Sequence, residues 1–266
     1  MGADFDAGVP FKGYTSGLTD TMFVDSLSDA DLRRLNELLP WGAFTVDRHG
    51  RRFGNAAGKG KRDTPQAVPD RRVLLLDRQF GLADKHVLEV GCFEGIHTTG
   101  LAMFAKQVTA VDARIENVVK TIVRTALFGY SPRVFKCDVE RSPLDLERLR
   151  ADVMFHVGVL YHLEDPVSHL RALSKYISLG LLLDTHFALE EQAGLSYEVA
   201  GRQWRYYRYP EGRPEDMFAG TSDHAKWLTL PSILDLLGEA GFSDASVAEK
   251  REERNGPRVL LIARRR

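Results

Sequence analysis

Short apolar runs alternate along most of the chain with segments in which apolar residues recur at helical spacing. Five runs have the length and composition of buried strands, at 86–90, 107–111, 133–137, 153–157 and 181–183. The spacing i, i+3, i+4, i+7 predicts helices between them, at 96–104, 115–126, 144–149 and from 166 to about 177. This alternation predicts an α/β fold, a doubly wound parallel sheet with helices on both faces.

The first 68 residues precede this alternation and are interpreted as a separate part. Residues 1–25 read as an extended arm. Ser28 and Asp31 predict the start of a helix that Pro40 ends, and 44–46 with 51–53 predict a hairpin. We expect 1–68 to form a lid, or a contact to an acceptor or a second subunit. A helix from Pro69 through Phe80 opens the main domain, 69–266.

Residues 187–227 interrupt the alternation of strands and helices in the main domain. The segments 195–199 and 203–209 predict an aromatic hairpin inserted after the fifth strand. Insertions at the carboxyl ends of strands often shape a substrate site, so Trp204 and Tyr207 are candidates to stack on an acceptor and Trp227 to close the pocket floor. The alternative is that these aromatic residues roof the core or form a dimer contact. A helix from Pro231 to Gly241 and strands at Val247 and 259–262 complete the domain.

Composition narrows the class of protein. The 266 residues are 44% hydrophobic, enough for a packed core, and 36 basic against 37 acidic residues argue against a nucleic-acid partner. No apolar run approaches the ~20 residues of a membrane span. Cys92 and Cys137 are expected to be buried thiols, which fits the cytoplasm. A basic loop, 58–63, is either a linker or a clamp for a phosphate or nucleotide.

The stretch 86–102 combines a strand, a loop with Gly91 and Gly95, and a helix. A helix N-terminus offers free N–H groups, and glycine lets a ligand approach the backbone, although such glycines also serve packing alone. The next two strands end at Asp112 and Asp138. Carboxylates at these positions are placed to bind a ribose diol and an adenine amino group; the alternative for each is a helix cap or a loop residue.

These motifs resemble those of class I S-adenosylmethionine-dependent methyltransferases. The resemblance covers about 73–265 and rests on EVGCFEG at 89–95, VDA at 111–113, CDV at 137–139 and GVLYHLEDP at 158–166. It implies a seven-stranded sheet of order 3-2-1-4-5-7-6 with strand seven antiparallel, and S-adenosylmethionine as the cofactor. The cofactor-binding residues it implies are Glu89, Gly91, Cys92, Phe93, Gly95, Asp112, Ala113, Asp138, Val139 and Gly158.

Two features bear on the cofactor. Phe93 stands where the family usually has the central glycine of the loop. Dinucleotide binding of the NAD type requires G-x-G-x-x-G, whereas this loop reads G-x-x-x-G, so S-adenosylmethionine is favoured.

The loops after strands four and five should face the transferred methyl group, because the strand order reverses beside strand four. They carry the candidate catalytic residues Tyr161, His162, Asp184 and His186. His162 is the first choice of general base and His186 the second, with Asp184 orienting a histidine or the acceptor. The alternative for His162 is a structural hydrogen bond. Asp184, His186, Asp223 and His224 lack the spacing of a metal motif, and no metal is expected.

The expected activity is O-methylation of a small molecule, with a sugar, glycan or natural-product intermediate favoured and a phosphorylated or nucleotide-linked acceptor considered. Two alternatives stay open. The segment 158–166 is also similar to enzymes that modify the wobble uridine of tRNA. A cofactor-binding module without catalysis is the other. A homo-oligomer is compatible with the sequence.

Overall fold

The computed structural model describes residues 23–54, 65–141, 145–213 and 216–265. Its helices are α1 (Asp29–Leu38), α2 (Arg71–Phe80), α3 (Ile96–Phe104), α4 (Ile115–Leu127), α5 (Pro166–Leu173) and α6 (Leu230–Glu239). Its strands are β1 (Thr45–Val46), β2 (Arg52–Phe53), β3 (His86–Val90), β4 (Gln107–Asp112), β5 (Arg133–Lys136), β6 (Ala151–Val157), β7 (Ile177–His186), β8 (Leu195–Val199), β9 (Arg202–Pro210), β10 (His224–Leu228), β11 (Asp244–Glu253) and β12 (Gly256–Arg264).

The central sheet has seven strands in the order β5-β4-β3-β6-β7-β12-β11. Strands β3 to β7 are parallel, and β12 runs antiparallel to both β7 and β11. The predicted order 3-2-1-4-5-7-6 is therefore confirmed. Chain order reverses between β3 and β6, and a crevice opens at the carboxyl ends of the strands at such a reversal.

Successive residues of the central strands enter different cores because side chains of a strand alternate between faces. Leu88, Met154 and Leu181 belong to the core formed with α5 and α6. Their neighbours Val87, Phe155 and Leu182 belong to the core formed with α2 and α3. Burial on both faces explains why these strands read as continuous apolar runs.

The N-terminal elements pack against the glycine-bearing loop. Ser28 caps α1 through a hydrogen bond from the N–H of Asp31, and β1 pairs with β2 as the predicted hairpin. Trp41 and Phe53 are fully buried and lie against one another in a core that includes Phe128. The structure thus joins 23–54 to the main domain, while the role predicted for 1–68 stays a prediction.

Helix α4 forms where predicted, but the face that it buries is mostly polar, with Val118 as its apolar member. Ile115, Val119 and Ile122 are 49%, 41% and 47% exposed, whereas Lys120 and Arg124 are buried. The periodicity therefore located the helix correctly, but most of the apolar residues that carry it are not the buried ones. Lys120 and Arg124 are buried because the surface beneath α4 presents hydrogen-bond acceptors. The carboxylate of Glu94 binds Lys120, and the carbonyl oxygen of Glu94 binds Arg124.

The insertion is a three-stranded sheet of order β10-β9-β8, so the predicted hairpin gains a third strand that the sequence interpretation missed. Trp204 is buried in the core, and Arg202 covers its ring at 4.5 Å. The prediction that Trp204 stacks on an acceptor is therefore wrong. The helix predicted at 144–149 is a short 3₁₀ turn, Leu146–Leu149.

Two predicted segments, most of the arm at 1–25 and the basic loop at 58–63, lie outside the described residues. Cys92 and Cys137 are free thiols. Among the described residues, every helix is too short or too polar to traverse a bilayer.

Candidate active site

A cavity of about 420 Å³ lies at the carboxyl ends of β3, β4, β5 and β6. Ten of the predicted site residues line it: Gly91, Cys92, Phe93, Asp112, Ala113, Asp138, Val139, Gly158, Tyr161 and His162. Four predicted residues stand outside its lining: Glu89, Gly95, Asp184 and His186. The cavity therefore joins the predicted cofactor loop to the candidate base His162.

The loop after β3 is shaped by backbone geometry that favours glycine. Gly91 has φ +76, and a Cβ there would lie 2.2 Å from Cγ2 of Val159. Phe93 adopts φ 48 without being glycine, and its ring lies 5.4 Å from that of Phe218. Phe93 therefore takes the conformation that glycine usually supplies, and its ring forms part of the cavity wall.

Asp112 is held at the end of β4 by three donors. Its carboxylate accepts hydrogen bonds from the N–H of Phe93 at 3.0 Å, the N–H of Arg114 at 2.9 Å and Nδ2 of Asn117 at 3.0 Å. Burial raises the pKa of Asp112 even though these hydrogen bonds oppose the shift. A carboxylate has about four acceptor positions, so one position remains for a hydroxyl donor such as a ribose.

Glu89 lies behind the wall and contacts the cavity through His97. Its Oε2 accepts a hydrogen bond from Thr98, and its Oε1 has no hydrogen-bond partner among the described residues. Nδ1 of the cavity-lining His97 lies 3.9 Å from that Oε1. Burial raises the pKa of Glu89 to about 8. A buried acceptor without a partner fits a cationic ligand group, such as the α-amino group of S-adenosylmethionine.

The end of β5 supplies the third acid. Asp138 accepts a hydrogen bond from the N–H of Glu140 at 3.2 Å and pairs with Arg141 at 3.1 Å. Asp138, Val139 and Glu140 all line the cavity. An acid after β4 and another after β5, beside the glycine-bearing loop, are suited to bind the ribose and the adenine of an adenosine group.

His162 faces the cavity with one ring nitrogen already engaged. Its Nδ1 lies 2.9 and 3.0 Å from the two carboxylate oxygens of Glu211. The Glu211 side chain is 2% exposed and also accepts a hydrogen bond from the N–H of Gly220 at 2.7 Å. An Nδ1–H that donates to a carboxylate leaves Nε2 as the basic nitrogen. The pair has the composition of a general base and its orienting acid.

Glu211 was not identified from the sequence. It lies two residues after the predicted strand 203–209, and it is 49 residues from His162. An acidic residue at the end of an inserted strand was the only available signal, and such residues are common.

The segment that follows Glu211 returns to the cavity, where Met217, Phe218, Ala219, Gly220 and Thr221 line the wall. Nη2 of Arg114 donates to the carbonyl oxygen of Ala219 at 2.9 Å.

Tyr161 lies between the two candidate bases. Its ring centroid is 4.2 Å from that of His162 and 4.7 Å from that of His186. Its carbonyl oxygen accepts a hydrogen bond from Nε1 of Trp227 at 2.8 Å. Burial raises the pKa of Tyr161, so its side chain stays a neutral phenol. Trp227 is 3% exposed and does not line the cavity, so it supports Tyr161 and is not the pocket floor.

The contacts of Asp184 and His186 differ from the predicted ones. Asp184 is fully buried and accepts hydrogen bonds from arginines, among them Arg258 at 2.6 Å, where we expected it to orient a histidine or the acceptor. His186 is 3% exposed, its Nδ1 lies 3.1 Å from the carbonyl oxygen of Pro257, and its ring stacks on Trp227 at 4.8 Å. Burial and the charge of Arg258 lower its pKa. These contacts favour His162 over His186 as the base.

The four residues considered for a metal are engaged elsewhere. Asp184 binds arginines, and Asp223 pairs with His224 at 2.6 Å. In the part of the chain that the structure describes, no three His, Cys, Asp or Glu side chains are grouped as metal ligands.

Comparison with known proteins agrees with this geometry. A family model described as a methyltransferase domain matches residues 61–247. The N-terminal domain of EvdMO1, solved in the presence of SAH and D-fucose, has a TM-score of 0.73 and 25% identity, covering 90% of this chain and 98% of that chain. Magnesium protoporphyrin IX methyltransferase from Synechocystis PCC 6803, with bound SAH, has the same fold at a TM-score of 0.50 and 17% identity, covering 74% and 81%.

Two curated relatives have different activities. The tRNA U34 carboxymethyltransferase of Marinobacter nauticus is 27% identical over 64% of this chain and 48% of its own length. The ubiquinone biosynthesis O-methyltransferase of Pseudoalteromonas translucida is 25% identical over 65% of this chain and 70% of its own. The chain thus spans about half the length of the tRNA-modifying relative. By the family match, the sheet order and the cavity beside the glycine-bearing loop, this chain belongs to the methyltransferase-domain family and is a class I S-adenosylmethionine-dependent methyltransferase.

Proposed function

We propose that the protein methylates a hydroxyl group of a small, sugar-like acceptor and that His162 is the general base. The observation that carries this proposal is the pairing of His162 with the buried Glu211 at the wall of the cofactor cavity. Methylation of an alcohol requires a group that removes the hydroxyl proton, and a histidine oriented by a carboxylate is suited to that role.

S-adenosylmethionine, when bound, supplies a methyl group on a positively charged sulfur. As the acceptor oxygen gains the methyl group, Nε2 of His162 takes the hydroxyl proton. The carboxylate of Glu211 fixes the Nδ1–H tautomer and stabilises the imidazolium that forms. The phenol of Tyr161, next to His162, orients the acceptor through a hydrogen bond.

A sugar acceptor is favoured by two considerations. EvdMO1, whose N-terminal domain this chain covers almost completely, was solved with D-fucose. The cavity wall also bears polar groups that suit hydroxyl-rich ligands, including Gln66, His97 and Arg72. The free thiols Cys92 and Cys137 fit a reducing compartment, and we place the protein in the cytoplasm.

The test measures S-adenosylhomocysteine formation with a panel of monosaccharides and nucleotide sugars. His162→Ala should reduce turnover by about 10²–10⁴-fold, and Glu211→Gln by less, with cofactor affinity unchanged in both. His224→Ala is the matched control because His224 also pairs with a carboxylate, Asp223, away from the cavity. Full turnover by His162→Ala would contradict the base assignment. Cofactor binding without turnover on any acceptor would favour the non-catalytic module.

Modification of a tRNA nucleotide is the second candidate, because several curated relatives are tRNA U34 carboxymethyltransferases. It predicts RNA affinity that falls steeply with salt, since phosphate contacts release counterions. The balance of 36 basic and 37 acidic residues favours the small-molecule acceptor. A filter-binding titration with total tRNA at two salt concentrations separates the two candidates.

A further inference from the structure

We propose that the acceptor carries an anionic group, a phosphate or a carboxylate, and that this group binds an arginine wall formed by Arg72, Arg251 and Arg258. This inference rests on the proposed function, because it places the acceptor in the cavity beside His162. All three arginines line that cavity. Arg72 comes from α2, and Arg251 and Arg258 come from the β11–β12 hairpin far along the chain; they meet at the carboxyl end of β7.

The carboxylate of Asp184 holds the three arginines together from the side away from the cavity. Its carboxylate accepts hydrogen bonds from Arg72 at 2.9 Å, Arg251 at 2.9 Å and Arg258 at 2.6 Å. Asp184 is fully buried and does not line the cavity. One carboxylate behind three guanidinium groups fixes their positions and leaves other N–H donors directed elsewhere, because each guanidinium has five.

The charges of the arginine wall are balanced, so its selectivity would come from directed donors. Asp70 pairs with Arg72 at 2.7 Å, and Glu253 pairs with Arg251 at 2.8 Å and with Arg258 at 3.3 Å. Asp184 is the third acid, and Glu249, which lies 3.7 Å from Arg251, also pairs with Arg71 at 2.6 Å. A planar guanidinium fork recognises phosphate and carboxylate oxygens by geometry as well as charge.

One donor of the arginine wall lacks an acceptor. Nη1 of Arg251 is buried and has no hydrogen-bond partner among the described residues; the oxygen Oε1 of Glu249 is 3.7 Å away. A buried charged donor without an acceptor is costly, and native structures rarely retain one without a reason. Arg251 itself lines the cavity, so an anionic ligand group bound there would approach this incompletely paired guanidinium.

The arginine wall is close to the proposed base. The guanidinium of Arg258 lies 5.2 Å from the ring centroid of Tyr161, which is 4.2 Å from that of His162. Nη2 of Arg258 and the hydroxyl of Tyr161 both approach Gly158, each 3.8 Å from where a Cβ would lie. An acceptor of the size of one sugar ring can therefore place an anion on the arginines and a hydroxyl at His162.

Binding to the protein saturated with S-adenosylhomocysteine tests the proposal by calorimetry. Glucose 1-phosphate and glucuronate serve as anionic probes and glucose as the neutral one. We expect at least one anionic probe to bind tenfold or more tightly than glucose, and Arg251→Gln to abolish that preference while glucose binding is unchanged. Arg202→Gln is the control, since Arg202 pairs with Asp235 and Glu239 outside the cavity lining. It should keep the preference.

The cofactor's own carboxylate is the competing source of an anion. Titration of Arg251→Gln with S-adenosylhomocysteine and with methylthioadenosine, which lacks the amino-acid group, separates the sources. Weakened binding of the former alone, with anionic sugars unaffected, would overturn the proposal. A wild-type protein that binds neither anionic probe better than glucose would also overturn it, whether or not the variants fold. These binding measurements do not depend on turnover, so failure of His162 as the base is recognised separately.

Discussion

The carboxylate of Glu94 lies 2.8 Å from Nζ of Lys120, and both side chains are buried behind the cofactor loop. The same carboxylate accepts hydrogen bonds from the N–H groups of Gly42 at 2.6 Å and Ala43 at 3.0 Å. A single side chain of the glycine-bearing loop therefore holds both helix α4 and the N-terminal segment. Cofactor loop, helix and N-terminal segment form one unit through Glu94.

Substitution of Lys120 by Met should destabilise the protein by about 3–5 kcal/mol, because it leaves the buried charge of Glu94 uncompensated. Urea unfolding followed by circular dichroism measures the loss. Glu147→Gln is the matched control, since its ion pair with Arg150 is 66% and 61% exposed and should contribute only about 0–1 kcal/mol. Equal losses in the two variants would show that burial of the Glu94 pair has no energetic consequence.

The mostly polar buried face of α4 predicts a small effect for one substitution and a large effect for another close to it. Ile122→Glu should change the free energy of unfolding by no more than about 0.5 kcal/mol, because Ile122 is 47% exposed. Arg124→Met should cost several times more, since Arg124 is fully buried and donates to the carbonyl oxygen of Glu94 at 2.7 Å. Thermal denaturation of both variants checks this. A larger loss of stability for Ile122→Glu than for Arg124→Met would contradict this and indicate that the apolar residues of α4 form its buried face.

Gly91→Ala should weaken cofactor binding at least tenfold, because the new Cβ would collide with Val159 at 2.2 Å and the backbone has φ +76. Calorimetric titration with S-adenosylhomocysteine measures it. The double variant with Val159→Ala should recover part of the affinity by removing the collision, although the strain in φ remains. Gly238→Ala, in α6 with open space around it, should leave the affinity unchanged and stabilise the helix by about 0.5–1 kcal/mol. Wild-type affinity in Gly91→Ala would mean that the loop does not adopt this conformation.

The buried pair of His156 and His169 predicts a loss of stability in mild acid. Their Nε2 atoms are 2.9 Å apart, and burial lowers the pKa of His169 to about 4 from 6.5. The unfolded chain therefore binds more protons than the folded one between these values. The contribution is fully present above pH 6.5 and is lost as the pH falls through about 4.

The variant His169→Gln keeps a hydrogen-bonding group and removes the titration. Urea unfolding of wild type and variant from pH 7.5 to 4 should give curves that converge toward acid, with a wild-type slope greater by about one proton. Parallel curves would show that His169 titrates at the same pH in the folded and unfolded chains.

The local pattern of the sequence predicted many of the strands and helices of this protein and its glycine-bearing loop. The alternation of apolar runs and helical spacing located β3, β4, β6 and the helices between them, since a short apolar run and a 3.6-residue period are both local features of the sequence. The glycine loop and the acids Asp112 and Asp138 were found because strand ends carry them to one edge of the sheet. The strand order followed from the family resemblance and is confirmed.

Contacts between distant residues were decided only by the tertiary structure. Glu211 reaches His162 across 49 positions, and Arg258 reaches Asp184 across 74. No periodicity links such positions, and an isolated acid or arginine has the same local pattern on a surface as in a site. The buried face of α4 was also undecided, because a partner carboxylate such as Glu94 can bury Lys120 in place of an aliphatic residue. Local sequence pattern and motif resemblance thus determined the sheet and the cofactor loop. The pairing of His162 with Glu211 and the arginine wall depend on which charged side chains folding brings together.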